Sequence, residues 1–223
     1  MSTHGSALAP RETSRGRRAQ PMLVVGAVPG WVSQWCRARG RELLPVDDVP
    51  STAGDEPGRT RHARVVAAFP GRTVLVQPEM GHRDAPPVRV VAALRRLPED
   101  AHVLGDAAEA AAQLAVPLTI LHAVPLSFGE RSVGLEEALD RGRRVLRTAV
   151  RQAGAGEPAL ELASQLLRAR PHELVGDLGD DALLVIGGPR QRGAVGLVTN
   201  SALHHAPCPV LVAARPVRPG GTA

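Results

Sequence analysis

The stretch Asp181 to Val212, DALLVIGGPRQRGAVGLVTNSALHHAPCPVLV, constrains the fold of this chain more than any other. Leu183, Leu184, Val185 and Ile186 form an unbroken apolar run between Asp180-Asp181 and Gly187-Gly188. A half-exposed strand would alternate, so this run reads as a strand buried on both faces of a parallel sheet. A loop holding Gly187, Gly188, Gly193 and Gly196 follows, and Asn200-Ser201 is expected to open a helix that Pro207 ends. Val210-Leu211-Val212 then reads as a second buried strand. Strand, glycine loop and helix in this order aim backbone N–H groups and a helix N-terminus at one place, an arrangement that holds anions.

The glycine loop and the ending His205-Ala206-Pro207-Cys208-Pro209-Val210-Leu211-Val212 resemble the C-terminal half of the universal stress protein family. That half carries Gly, two residues, Gly, nine residues, then Gly followed by Ser or Thr. Placed on the pattern without a gap, Gly187 and Ser201 agree, while Arg190 falls on the second glycine and Asn200 on the third. The resemblance covers about Val88 to Ala214. It implies a doubly wound α/β fold of the adenine nucleotide alpha hydrolase-like kind, with a five-stranded parallel sheet of order 3-2-1-4-5. It also implies ATP as the cofactor, if there is one, and dimerisation through the final strand.

The elements preceding the stretch agree with an alternating α/β chain. Val88 to Leu94 is a mostly apolar strand, Pro98 to Ala115 a helix with Pro98 at its start and Pro117 beyond its end, and Leu118 to Val124 another buried strand. After the loop Pro125 to Ser132, Leu135, Leu139, Val145, Leu146 and Ala149 mark one face of a helix from Val133 to Ala153, with Gly154 as its stop. Leu160 to Leu167 suits either alternation or a helix, and the resemblance makes it a strand. Pro171 to Leu178 is expected to be a short helix. Five strands alternating with helices imply a parallel sheet covered on both faces.

Residues 1–20 mix Ser, Thr, Gly and Arg and read as a disordered basic arm. Residues 21–80 form an extension with strand-like runs at Met22 to Val25 and Thr73 to Val76, a helix near Trp31 to Arg39, and a polar loop from Ser51 to Arg61. Leu23-Val24-Val25-Gly26 echoes Leu184-Val185-Ile186-Gly187, and Thr73-Val74-Leu75-Val76 echoes Pro209-Val210-Leu211-Val212. Two readings stand side by side: a shortened, degenerate first module of the same family, or an unrelated extension. Residues 81–87 read as a linker, 88–214 as the family-like domain and 215–223 as a flexible tail. On this division residues 1–87 are dispensable for folding of the rest.

All 27 basic residues are Arg. Residues 1–87 hold 12 Arg against 8 acids and residues 88–223 hold 15 against 14, so the basic excess is scattered and lies early in the chain. With two Trp, two Phe and no Tyr there are few platforms for base stacking, and nucleic-acid binding is disfavoured. Cys36 and Cys208 have no metal-type spacing. No apolar run approaches the ~18 residues of a membrane span, and a cytoplasmic location is expected.

In an open parallel sheet a ligand sits beyond the carboxyl ends of the strands where their order reverses, here between Leu94 and Gly187. The candidate ligand positions are Gly187, Arg190, Arg192, Gly193, Asn200, Ser201 and Arg95. ATP-binding members of the family carry an Asp after the first strand; Arg95 stands in its place. Arg190 either grips an anion bidentately or fills the space in which a phosphate approaches a glycine. Ser201, with Asn200 as the alternative, is expected to be the helix N-cap. His204 and His205, neighbours on a helix, point about 100° apart and do not share a metal. Cys208 and His122 read as core residues. With no catalytic constellation and no metal site, the expected protein is a non-catalytic, universal stress protein-like regulator with a degraded ATP motif. It would act in stress response through a homodimer built on the last strand or through a protein partner. An intramolecular version is also open, in which Thr73 to Val76 takes the same edge. The alternative is an adenine-nucleotide-binding member with a diverged pocket and slow ATP hydrolysis.

Overall fold

The computed structural model describes residues 21–46, 60–78, 84–124, 134–170, 172–189 and 195–215. The arm at 1–20, the polar loop from Ser51 up to its last two residues, the start of the linker at 81–87, the loop Pro125 to Ser132 and nearly all of the tail at 215–223 lie outside the described residues. In chain order the elements are β1 (Met22–Val25), α1 (Gly30–Ala38), β2 (Leu43–Val46), α2 (Arg61–Ala68), β3 (Val74–Val76), β4 (Arg89–Ala93), α3 (Ala101–Leu114), β5 (Leu118–Ala123), α4 (Leu135–Gly156), β6 (Leu162–Leu167), β7 (Ala182–Gly187), α5 (Leu197–His205) and β8 (Val210–Ala213).

One sheet of eight strands in the order β2-β1-β3-β8-β7-β4-β5-β6 runs through the molecule. From β4 onward the order is the expected 3-2-1-4-5, all parallel. The five-stranded expectation is corrected, because β1, β2 and β3 extend the same sheet through an antiparallel pairing of β3 with β8. That pairing also corrects the expected homodimer contact through the last strand. The last strand is not an edge, since β7 and β3 occupy its two sides, and the intramolecular version is the one realised.

The continuous apolar runs β1, β3, β7 and β8 are buried along their full length or nearly so, as strands with helices on both faces must be. On one face Trp31, Val32 and Trp35 of α1, Val103 and Ala107 of α3 and Leu146 and Ala149 of α4 pack on Val24, Leu75, Leu211 and Val185. On the other, Val65 and Val66 of α2, Ala202 and Leu203 of α5 and Val175 cover Val25, Val74, Val212 and Ile186. Arg39 at the end of α1 is clamped to Glu109 of α3 by its Nε, at 2.9 Å, and its terminal nitrogen, and lies over the Trp35 ring at 5.3 Å. The extension is therefore part of the core.

Several boundaries differ from the sequence reading for local reasons. β2 was not expected, because Pro45 interrupts its run; the strand tolerates it by lying at the sheet edge. α2 was also missed, although Thr60 caps it by accepting from Ala63 N at 3.2 Å. α3 begins at Ala101 instead of Pro98, since the Asp100 carboxylate accepts from Arg95 N and Arg96 N at 2.7 and 3.0 Å and closes a turn there. α4 runs through Gly154 to Gly156. Residues 172–178 form turns, not the expected short helix.

Candidate functional site

The order of strands reverses between β4 and β7, and a cavity of about 680 Å³ lies beyond their carboxyl ends. Its walls are largely apolar: Leu121 and Ala123 from β5, Leu184 and Ile186 from β7, Leu174, Val175 and Leu178 from the turns before β7, and Val195 and Leu197 from the approach to α5. Its charged lining among the described residues is Arg95, Asp100 and Arg215, two cations against one carboxylate. The size falls within the ~300–1,000 Å³ of small-molecule sites.

The first turn of α5 forms one wall. Gly196 precedes the helix in an extended conformation with no side-chain cap, and the first helical bond runs from Asn200 N to Gly196 O at 2.8 Å. The N–H groups of Leu197, Val198 and Thr199 precede that bond, so they have no carbonyl one turn back within the helix, and all three residues line the cavity. The Thr199 hydroxyl donates to Gly187 O at 3.2 Å and ties the helix to the end of β7.

This geometry corrects the placement of Asn200 and Ser201. Both lie inside α5, a turn past its start, and neither lines the cavity. Ser201 is not a cap: its hydroxyl donates to His172 O at 2.9 Å. The glycine at the head of the helix is Gly196, followed by Leu197, which is 68% exposed. Gly196, at the head of the helix, thus stands four positions before Asn200, on which the gapless placement puts the last glycine of the pattern. Of the other expected positions, Gly187 and Arg95 line the cavity, Arg95 from an exposed position at the rim. Arg190, Arg192 and Gly193 lie outside the described residues.

Sequence reasoning overlooked two of the three charged residues. Asp100 is buried at the head of α3, and Arg215 follows β8. Arg215 Nε donates to Gly188 O at 2.8 Å, and a terminal nitrogen lies 3.5 Å from Asp100 Oδ1. The paired glycines make room for this. A Cβ at Gly187 would stand 3.0 Å from the Arg215 terminal nitrogen, and one at Gly188 would stand 3.0 Å from the Ala213 carbonyl oxygen. The glycine pair was legible as a signal, but the side chain it accommodates lies 27 residues away in sequence.

Of the remaining candidates, the two cysteines are buried and His122, expected in the core, is only half-buried. His122 Nδ1 is 2.9 Å from Leu94 O, a satisfied position. Cys36 and Cys208 are separate, buried free thiols, and burial pushes Cys208 up to about 11. Among the described residues no group of three or more His, Cys, Asp or Glu is placed to hold a metal, and no helix is long and apolar enough to cross a membrane.

No protein-family model and no curated protein matches the sequence. Solved structures do match. A protein of Pseudomonas aeruginosa UCBPP-PA14 assigned to the universal stress proteins is 15% identical, with a TM-score of 0.51 over 89% of this chain and 84% of its own. That share exceeds the part from β4 onward, so the likeness extends into β1 to β3. A universal stress protein in complex with cAMP is 18% identical, with a TM-score of 0.48 over 59% of this chain and all of its own. The universal stress protein from Archaeoglobus fulgidus in complex with dAMP is 22% identical, with a TM-score of 0.42 over 57% of this chain and 98% of its own. The chain has the universal stress protein fold.

Proposed function

We propose that this chain is a non-catalytic regulatory protein of the universal stress protein type that takes a nucleoside monophosphate in the cavity between β4 and β7. The observation that supports this is the cavity itself: about 680 Å³ with an apolar body and one cationic end, where α5 presents uncapped N–H groups. An apolar, planar group fits between Leu121, Ile186 and Val175, and a single phosphate fits at the helix end.

Two features favour one phosphate over three. Leu197, directly after Gly196 at the head of the helix, brings no hydroxyl to the phosphate end. A magnesium-bound triphosphate also needs carboxylate or hydroxyl oxygens. Asp100 is committed to two backbone N–H groups and Thr199 to Gly187 O. The same commitments support a non-catalytic reading, since the Thr199 hydroxyl and Asp100 Oδ2 already have partners and Asp100 Oδ1 faces the Arg215 guanidinium. Arg95, exposed at the rim, does not fill the space, and this favours binding over the loss of it.

Calorimetry with AMP and with ATP plus magnesium tests the proposal. AMP is expected to bind in the micromolar range, about −7 to −8 kcal/mol, and more tightly than magnesium-ATP. Absence of AMP binding at millimolar concentration, or hydrolysis of ATP at a measurable turnover, overturns it.

A further inference from the structure

We propose that Asp100 is an internal stand-in for the ligand's anionic group and that Arg215 selects anionic ligands by exchanging one for the other. The inference rests on the cavity being a ligand site, and it assigns a selectivity residue and a means of charge regulation to that site.

The two contacts of Asp100 are unequal. Its Oδ2 accepts from two backbone N–H groups at 2.7 and 3.0 Å, lengths typical of strong hydrogen bonds to a carboxylate. Its Oδ1 meets the Arg215 terminal nitrogen only at 3.5 Å, beyond the usual range. Asp100 therefore keeps its place without Arg215, and the contact between them is the one that gives way when a better acceptor arrives.

Arg215 is poised to change partner without losing its position. Its Nε bond to Gly188 O, 2.8 Å, fixes the near end of the guanidinium. The terminal nitrogen lies over Gly187 at the carboxyl end of β7, 3.0 Å from where a Cβ would stand. A guanidinium held by Nε leaves its terminal nitrogens to face a phosphate or carboxylate, a geometry a lysine does not reproduce. Its side chain is 23% exposed, buried enough to strengthen the contact and open enough to be reached.

Selectivity follows from the exchange. A neutral ligand leaves the Arg215–Asp100 contact intact and gains nothing from the cation. An anionic ligand replaces a loose contact with a short, charge-assisted one. The internal carboxylate also keeps the cation partly compensated when no ligand is bound, so the empty cavity does not carry an unopposed buried charge.

The test compares AMP with adenosine on the full chain, by calorimetry at two salt concentrations. The wild type is expected to favour AMP by roughly tenfold to a hundredfold, with the preference shrinking as salt rises. Arg215→Gln should bring the ratio to within about threefold of one, and Arg215→Lys should give an intermediate value. Asp100→Asn keeps an oxygen for the backbone N–H groups while removing the competing charge, and should raise the ratio. If Arg215→Gln does not fold, Arg215→Lys and Asp100→Asn, moving the ratio in opposite directions, still decide. Arg215→Gln retaining the wild-type ratio overturns the inference. So does equal binding of AMP and adenosine by the wild type, which leaves the ligand site itself standing. Failure of the wild type to bind AMP at all overturns both.

Discussion

The strands β1 and β3 of the N-terminal part and β7 and β8 of the C-terminal part are the same construction used twice. Leu23, Val24 and Val25 stand beside Val74, Leu75 and Val76 in the register in which Leu184, Val185 and Ile186 stand beside Val210, Leu211 and Val212. Across the antiparallel seam Val74 faces Val212, Leu75 faces Leu211 and Val76 faces Val210, a local two-fold centred on the leucine pair. The preceding helices α2 and α5 meet across the seam, with His62 Nδ1 3.4 Å from Leu203 O. What differs is the end of each pair. Beyond β7, paired glycines and Arg215 border an open cavity. Beyond β1, Gly26 is approached closely by the Gln77 side chain, whose Cβ lies 3.1 Å from where a Cβ would stand. The shared register holds both pairs together, and only the β7 end leaves a cavity open. A chain that closes its own β8 edge also forgoes the exposed row of N–H and C=O groups that recruits a second copy.

Removing the N-terminal partner is the harshest way to break the comparison. The sequence reading makes residues 1–87 dispensable, but the seam implies otherwise. A chain of residues 88–223 exposes one side of β8 and strips apolar cover from Leu211. We expect the full chain to sediment as a monomer and the truncated chain to dimerise through β8 or aggregate. A monomeric, cooperatively folded truncation would show that the N-terminal strands are an ornament on a complete fold.

The seam can be probed more gently at its centre. Leu75 and Leu211 are 0% and 1% exposed. Either one changed to Ala should therefore lose about 2–5 kcal/mol in urea unfolding, the cost of a core cavity. The two are direct partners across the seam. Their effects should not be additive, and the double variant should deviate from the sum by about 0.5 kcal/mol or more. A Leu75→Ala cost below about 1 kcal/mol, well short of a core cavity, would mean the two sides of the two-fold are not energetic equivalents.

The two halves also each bury one thiol, and the chain offers a clean way to compare them, because it has no Lys and no Tyr to titrate between pH 9 and 11. Burial raises Cys208 from 9.0 to about 11; it also raises Cys36, where Arg41 and Arg39 pull partly the other way. An unfolded thiol near 9 releases its proton first, so stability is full below pH 9 and falls as pH rises toward 11. For Cys208 the loss should total roughly 2–3 kcal/mol. Urea midpoints at pH 8, 10 and 11 should show this fall, flattened in Cys208→Ala more than in Cys36→Ala. An unchanged slope in Cys208→Ala would remove the thiol as its cause.

Legibility in the sequence tracked how local the cause was. β7, β8, β4, β5 and the order 3-2-1-4-5 were readable because buried parallel strands write themselves as unbroken apolar runs, and the family resemblance supplied the order. The echo of Thr73 to Val76 on Pro209 to Val212 was legible too, and these two runs pair with each other across the seam. β2 was hidden because Pro45 argues against a strand unless the strand is known to be at an edge. The start of α5 was misplaced by assuming an ungapped motif, when Thr199 and Gly196 were the residues at the turn. Arg215 and Asp100 left no local signal: each is ordinary where it stands, and only the sheet brings them together from 115 residues apart.

The smallest expected effect bears on why one end of the duplicated pair is closed. Gln77 is 2% exposed, directly follows β3, and neither its amide oxygen nor its amide nitrogen has a hydrogen-bond partner among the described residues. The position that matches it across the two-fold is Ala213, which is fully buried and makes no such demand. Its backbone is secured separately, Gln77 N donating to Val25 O at 3.0 Å, so the side chain is free to change without loosening the strand. A buried amide without partners costs about 1–3 kcal/mol relative to an apolar group of similar shape. Gln77→Leu should therefore stabilise the protein by about 1 kcal/mol, after some loss to imperfect packing against Gly26. The midpoint of urea unfolding is the measurement, with Gln77→Met as a more adaptable control. Destabilisation by both variants would show that the amide is held by groups outside the described residues, and that the N-terminal end of the pair is a polar site in its own right instead of a filled one.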